Sequence, residues 1–296
     1  MKDSFTTQPL ISVITAVKNS VSTIERSIQS VIAQRYRRIE YIIIDGASTD
    51  GTVDVLKKYS CNIDHMVSEP DTGVYSAWNK GLALATGEWV CFLGADDFFS
   101  DISSLERIVS AMDVSLTKNI AIVYGDLSFV DSSESIIKII RAPWEIAKQG
   151  FFTLMTIPHV ATLHKRTLFT EFGKFDESFR IAGDYEFLLR VFEHYDALYI
   201  PMVIQASMTD GGMSNIPENL RCSWTERRKA LMKHPRKQCM FRKRHIIAWM
   251  KITKSRINLL LYETLPRSKY YFLIRLNRII STRIKQHLCN RSNDHM

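Results

Sequence analysis

The sequence predicts an α/β fold with a mostly parallel central sheet flanked by helices. Three observations carry that prediction. Apolar runs at residues 10–17, 39–44 and 89–93 lack polar alternation, as strands buried on both faces require. Stretches of about ten residues with helical periodicity separate them, long enough for the crossovers between parallel strands. Each run ends in a polar cluster, and open parallel sheets bind ligands at those carboxyl ends.

Taken in order, residues 10–17 form the first strand and Lys18-Asn19-Ser20 turns out of it. Ser22 is placed to cap a helix whose Ile24, Ile28, Val31 and Ile32 share one face. Residues 39–44 make the second strand, which closes in Asp45-Gly46-Ala47-Ser48-Thr49-Asp50-Gly51 before a helix over 52–58. A short third strand spans 63–67. The loop Ser68-Glu69-Pro70-Asp71-Thr72-Gly73 opens a helix over 74–85 that Gly87 terminates. The fourth strand, 89–93, runs into Gly94-Ala95-Asp96-Asp97. Beyond Phe98 the pattern changes, with strands expected at 120–124 and 135–140 and helices at 167–172 and 183–195.

The 296 residues, 46% hydrophobic and 24% charged, suit one cored domain with an appendage. Charge divides the chain. Residues 221–296 hold 20 Lys and Arg against 3 Asp and Glu, whereas the rest holds 19 against 28. Residues 1–218 are therefore assigned to an acidic body and 219–296 to a basic, mostly helical extension with a separate task. The five cysteines, Cys61, Cys91, Cys222, Cys239 and Cys289, are scattered, odd in number and without a Cys-x-x-Cys pair. That excludes a zinc site or disulfide framework as an expectation and suits a reducing compartment. Neither an apolar leader nor a run of about 18 apolar residues occurs, so a cytoplasmic location is expected.

Several side chains could carry chemistry. Asp96 and Asp97 follow a buried strand, where two adjacent carboxylates are costly unless solvated or bound to a hard divalent cation. A solvated turn capping the next helix is equally open. Asp45 also ends a buried strand and could accept a hydrogen bond from a base or ribose, or belong to a glycine turn. Asp184, at the start of a helix, could act as a general base or as a cap; there the helix dipole favours its ionised form. His159 and His164 could contact metal or phosphate, or be satisfied core residues.

In this order the motifs resemble the family 2 glycosyltransferases of bacterial surface-polysaccharide assembly, from about residue 9 to 214. The matching landmarks are Thr15 and Asn19; Ile43-Ile44-Asp45-Gly46 through Asp50-Gly51-Thr52; Glu69-Pro70-Asp71 through Tyr75, Asn79, Lys80 and Gly81; Gly94-Ala95-Asp96-Asp97; Gly173-Lys174-Phe175-Asp176; Ala182-Gly183-Asp184-Tyr185-Glu186; and Gly211-Gly212-Met213-Ser214. The resemblance implies a GT-A, Rossmann-like fold, a nucleotide-sugar donor and inversion at the anomeric carbon. Thr15, Asn19 and Asp45 would hold the nucleoside, and Asp71 and Lys80 would lie near base and phosphates. Asp96 would sit near ribose and cation. Asp97 would ligate Mn²⁺ or Mg²⁺, with His159 as a second contact, and Asp184 would deprotonate the acceptor hydroxyl. The chain departs from the Asp-x-Asp spacing of some related enzymes. It also lacks the Gln-x-x-Arg-Trp motif of processive members, which implies transfer of a single sugar.

The extension mixes Lys and Arg with Ile246, Trp249, Leu259, Tyr270 and Phe272, a pattern for helices on an anionic membrane surface. A lipid-diphosphate-linked acceptor would need that access, at the inner face of the bacterial inner membrane. Nucleic acid is not the expected partner, although basic stretches with aromatics can bind it. A solvated helical cap over the body is the third reading. For the body, a nucleotidyltransferase is the rival enzyme, but Lys18 is the sole basic residue in 16–20, where a phosphate loop would fall. A non-catalytic nucleotide-sugar-binding protein is the other rival.

Overall fold

The computed structural model describes residues 8–115, 119–131, 133–209 and 219–234. The chain divides into two compact units, Met1–Phe241 and Arg242–Met296. Every described residue belongs to the first, and the basic extension beyond His234 lies outside the described residues, as do Gly211 to Ser214.

The amino-terminal half is the predicted alternation. It runs β1 (Ile11–Val17), α1 (Ile24–Ile32), β2 (Ile39–Asp45), α2 (Thr52–Lys58), β3 (His65–Ser68), α3 (Val74–Leu84) and β4 (Trp89–Gly94). These strands lie in the order β3-β2-β1-β4, all parallel. Val17 pairs with Asp45 and Ala16 with Gly94, so three strands end at one level. Both faces are covered, as unbroken apolar strands demand. Ile14, Ile42 and Phe92 pack with Tyr75 and Ala77 of α3 on one face. Ile11, Val13, Ile43 and Leu93 pack with Ile24, Ile28 and Leu56 on the other.

The second half adds β5 (Phe98–Phe99), α4 (Ser104–Ser115), β6 (Ile120–Val130), β7 (Ile136–Ile140), α5 (Trp144–Phe151), β8 (Leu163–Lys165), α6 (Thr167–Glu171), α7 (Gly183–Val191), β9 (Asp196–Thr209) and α8 (Leu220–Lys233). The strand order becomes β3-β2-β1-β4-β8-β6-β9-β5, with β7 beside β6. β8 is antiparallel to both β4 and β6, while β9 runs parallel to β6. The result is an α/β fold with a mostly parallel sheet between helical layers, as predicted.

Local details differ from the sequence reading. α1 starts at Ile24, and the Ser20 carbonyl accepts the Thr23 and Ile24 amides, so Ser22 does not cap it. α7 ends at Val191 and not near Tyr195. α8, assigned by charge to the extension, is fastened to the body. Lys229 donates to the Ser178 hydroxyl at 2.9 Å, Lys233 pairs with Asp176, and the His234 ring meets Glu186 at 3.2 Å.

Candidate active site

A cavity of about 530 Å³ opens where β1 and β4 end. Asp71, Asp96, Asp97, His159 and Asp184, all singled out from the sequence, line it together. The chain brings them from four separate segments, and a parallel sheet with its strand ends aligned makes that convergence possible.

At the acidic end, Gly94 lets the chain fold back on itself. Its amide donates to Asp97 Oδ2 at 3.2 Å, and a Cβ there would stand 2.5 Å from that oxygen and 3.0 Å from Asp96 Oδ1. Asp97 is buried, and its Oδ1 has no hydrogen-bond partner among the described residues. Burial, followed by the neighbouring Asp96 charge, holds the Asp97 carboxyl well above the usual carboxylate range. Among the described residues, three buried polar atoms in the cavity wall lack hydrogen-bond partners: Asp97 Oδ1, Trp78 Nε1 and His159 Nε2. Unsatisfied polar atoms are rare in a finished core and mark a place where a ligand completes the bonding. A partnerless carboxylate oxygen beside a second carboxylate fits a hard divalent cation. Asp96, Asp97 and His159 do not, however, form a ready-made triad. Among the described residues no three His, Cys, Asp or Glu side chains converge as a metal site.

His159 is sealed among rings. It stacks on Phe92 with centroids 5.6 Å apart and lies 5.1 Å from Trp78 and 5.0 Å from His164. Burial pushes its pKa down to about 3, so the imidazole is neutral at physiological pH. His164 is fully buried, and its Nδ1 meets the Thr162 carbonyl at 2.9 Å, as a core residue.

Asp184 occupies the first turn of α7. Tyr75 donates its hydroxyl to Asp184 Oδ1 at 3.1 Å, and the Tyr185 amide donates to the same oxygen at 2.8 Å. Gly183 permits this, because a Cβ there would lie 2.8 to 2.9 Å from the Tyr75 ring. The expectation that the helix terminus favours ionisation is corrected. Burial outweighs the bonds from Tyr185 and Tyr75 and raises the Asp184 pKa above its ordinary value. A raised pKa makes a stronger base once the proton has left.

Four of the chosen residues do not line the cavity. Thr15 is fully buried, 3.3 Å from the Tyr41 hydroxyl in the core. Asp45 is fully buried too and accepts from the Ser48 amide, the Ser48 hydroxyl and the Ser68 hydroxyl, at 3.1, 2.5 and 2.6 Å. Asn19 has φ 48° and accepts from the Thr49 amide at 2.9 Å, tying two loops together. Lys80 donates to the Pro70 carbonyl at 2.9 Å and pairs with Glu69 at 2.8 Å. That contact pins the loop bearing Asp71, whose Oδ1 accepts the Gly73 amide.

Comparison with known proteins fits this geometry. Residues 12–149 match the model of glycosyl transferase family 2. An uncharacterised glycosyltransferase of Mycobacterium tuberculosis is 34% identical over 187 residues, 62% of this chain and 70% of that protein. The chain belongs to glycosyltransferase family 2. Two solved structures share the fold at lower identity. The mannosyltransferase PcManGT of Pyrobaculum calidifontis, in complex with GDP-Man and Mn²⁺, is 18% identical with a TM-score of 0.64. The match covers 94% of this chain and 81% of that one. S. aureus TarS 1-349, in complex with UDP-GlcNAc, is 17% identical with a TM-score of 0.55, over 68% of this chain and 58% of that one.

Within this glycosyltransferase, sequence reasoning missed the contribution of α8. Glu226 accepts the consecutive amides of Arg180, Ile181 and Ala182 at 2.7, 2.8 and 2.9 Å. It thereby closes the turn that leads into α7 two residues before Asp184. Arg227, next in sequence, lines the cavity, and its charge is felt at Asp184. An isolated acid inside a basic run, at Glu226, was the available signal.

Proposed function

We propose that this glycosyltransferase moves a single sugar from a UDP-sugar to an undecaprenyl-diphosphate-linked acceptor, with inversion, in O-antigen or related surface-polysaccharide assembly. UDP-glucose is the preferred donor, ahead of UDP-galactose and UDP-N-acetylglucosamine, and an α-linked donor gives a β-linkage. The observation that carries the reading is one cavity lined by a carboxylate pair, Asp96 and Asp97, and by a half-buried carboxylate, Asp184, held by Tyr75. Asp184 takes the proton from the acceptor hydroxyl, and the oxygen attacks the anomeric carbon in line as the nucleoside diphosphate departs. Asp97 would hold Mn²⁺ or Mg²⁺, with Asp96 and His159 beside it. The cation supplies charge neutralisation for the leaving diphosphate. The Tyr75 hydroxyl fixes which Asp184 oxygen is free, and the apolar wall around His159 excludes water from the reacting sugar.

A screen of nucleotide sugars against a synthetic lipid-diphosphate acceptor, with Mn²⁺ or with EDTA, tests this. The expected result is metal-dependent turnover that Asp184→Asn abolishes while UDP binding survives. Full turnover in EDTA removes the metal, and retained turnover in Asp184→Asn removes the base. The reading also puts the protein peripherally on the cytoplasmic face of the bacterial inner membrane through its basic extension. Full-length protein should float with phosphatidylglycerol vesicles and not with phosphatidylcholine vesicles. Equal partition would count against that attachment. Among the described residues no helix is long and apolar enough to cross a membrane.

A further inference from the structure

We propose that Arg227, assisted by Arg180, forms an anion subsite on the acceptor side of the cavity, so that the acceptor carries a phosphate group close to the hydroxyl that reacts. The inference rests on the assignment of Asp184 as base. Both arginines line the cavity. Arg227 is half-buried, and among the described residues its guanidinium has neither a hydrogen-bond nor an ion-pair partner. Every other described basic side chain of α7 and α8 that faces the neighbouring turn is engaged: Arg190 with Glu186, Lys229 with Ser178 and Lys233 with Asp176. A cation held partly out of water without a partner is costly, and a bidentate phosphate removes that cost.

Position decides which phosphate. In an inverting displacement the base and the leaving group stand on opposite faces of the anomeric carbon. The leaving diphosphate belongs with Asp96 and Asp97, at the end of β4. Arg227 comes from α8, which packs on α7, and its charge acts on Asp184 and Tyr185 at the head of that helix. Arg180 sits in the turn that Glu226 clasps just before Asp184. Both cations therefore stand with the base, where the incoming hydroxyl arrives. The cavity also carries an apolar wall of Leu127, Phe129, Ile140 and Met208, suited to an alkyl chain attached to such a phosphate.

Isothermal titration with the full chain, saturated with UDP and Mn²⁺ so that the donor end is filled, tests the subsite. Octyl phosphate, glycerol phosphate and uncharged octyl glucoside are the probes. The expected result is that both phosphates bind, and that Arg227→Gln weakens both at least about tenfold while Arg227→Lys retains part of the affinity. Octyl glucoside should respond equally little to either variant. Tighter binding of octyl phosphate than of glycerol phosphate assigns the anion to a lipid, and equal binding assigns it to a soluble phosphate ester. Unchanged phosphate affinity in both Arg227→Gln and Arg180→Gln overturns the proposal. So does phosphate binding no tighter than that of octyl glucoside in the unmodified protein. UDP affinity is measured first in each variant, so a failure of nucleotide binding counts against the glycosyltransferase reading and not against the subsite.

Discussion

Replacing Glu226 with Ala should damage both stability and turnover, although the residue lies outside the cavity lining. Its carboxylate accepts three successive amides, at Arg180, Ile181 and Ala182. A hydrogen bond to a charged group contributes about 1.5 to 3 kcal/mol net, and loss of an N-terminal cap costs about 0.5 to 2 kcal/mol. Glu226 is half-buried, so water will reach some of the freed amides and the sum must be discounted. About 2 to 4 kcal/mol of unfolding free energy should disappear, read by urea denaturation. Glu226→Gln keeps one acceptor oxygen and should lose about half as much. The kinetic effect follows from geometry, because the clasped turn ends at Ala182, the residue that flanks α7. A displacement of about 1 Å at the base costs on the order of a hundredfold in turnover. UDP affinity should hold, since the carboxylates proposed to anchor the donor's diphosphate, Asp96 and Asp97, follow β4 and not the clasped turn. An unfolding free energy within about 0.5 kcal/mol of the parent, together with unchanged turnover, would refute the clasp as a positioning device.

Three further outcomes follow from the same contacts. Gly183→Ala places a Cβ within 2.8 to 2.9 Å of the Tyr75 ring, and this overpacking should cost about 1 to 3 kcal/mol and lower turnover more than donor affinity. Tyr75→Phe removes a bond that lowers the Asp184 pKa, so that pKa should rise further. Because the base must be ionised, activity falls as pH drops through this pKa, and the acid limb of kcat/KM should move to higher pH; an unmoved limb means another group sets it. Asp45→Asn puts an amide among three donors in the core, and should lose about 1 to 3 kcal/mol of stability with UDP affinity nearly unchanged. A large loss of UDP affinity at parental stability would restore Asp45 as a nucleoside contact.

The first half of the fold was legible because its signals are local. Three apolar strands, a short edge strand and three helices sit within 94 residues. The second half was less legible, for two kinds of reason. β8 is three residues long and β5 two, too short for any periodicity to register. Residues 196–209 interrupt their apolar character with Pro201 and Gln205, and β9 exists because β6 and β5 flank it. α4 did carry a readable stripe, since Leu105, Ile108, Val109 and Met112 are all buried. The site divides in the same way. Strand-end acids such as Asp97 could be found from sequence, because the sheet's topology fixes where they go. Asp45 satisfies the same strand-end pattern but points into the protein, where only its partners Ser48 and Ser68 reveal it, and Thr15, singled out by the resemblance alone, meets Tyr41 in the core.

Charge balance misled most at α8. Five of the 20 basic residues after position 220, namely Arg221, Arg227, Arg228, Lys229 and Lys233, lie in this helix. Lys229 and Lys233 bind the 176–178 turn, with Phe179 packed beneath both ammonium groups at 4.4 and 5.1 Å. Arg227 faces the cavity, and Glu226, an acid within the basic run, holds the turn before Asp184. A net count cannot separate a cation that solvates a surface from one that fastens a helix or meets a ligand, because the three differ only in what stands opposite. The other 15 basic residues follow His234 and remain the basis for an anionic-surface role. A cut placed at residue 219 to remove the extension would also remove Glu226 and Arg227, and loss of activity after such a cut would say nothing about the membrane.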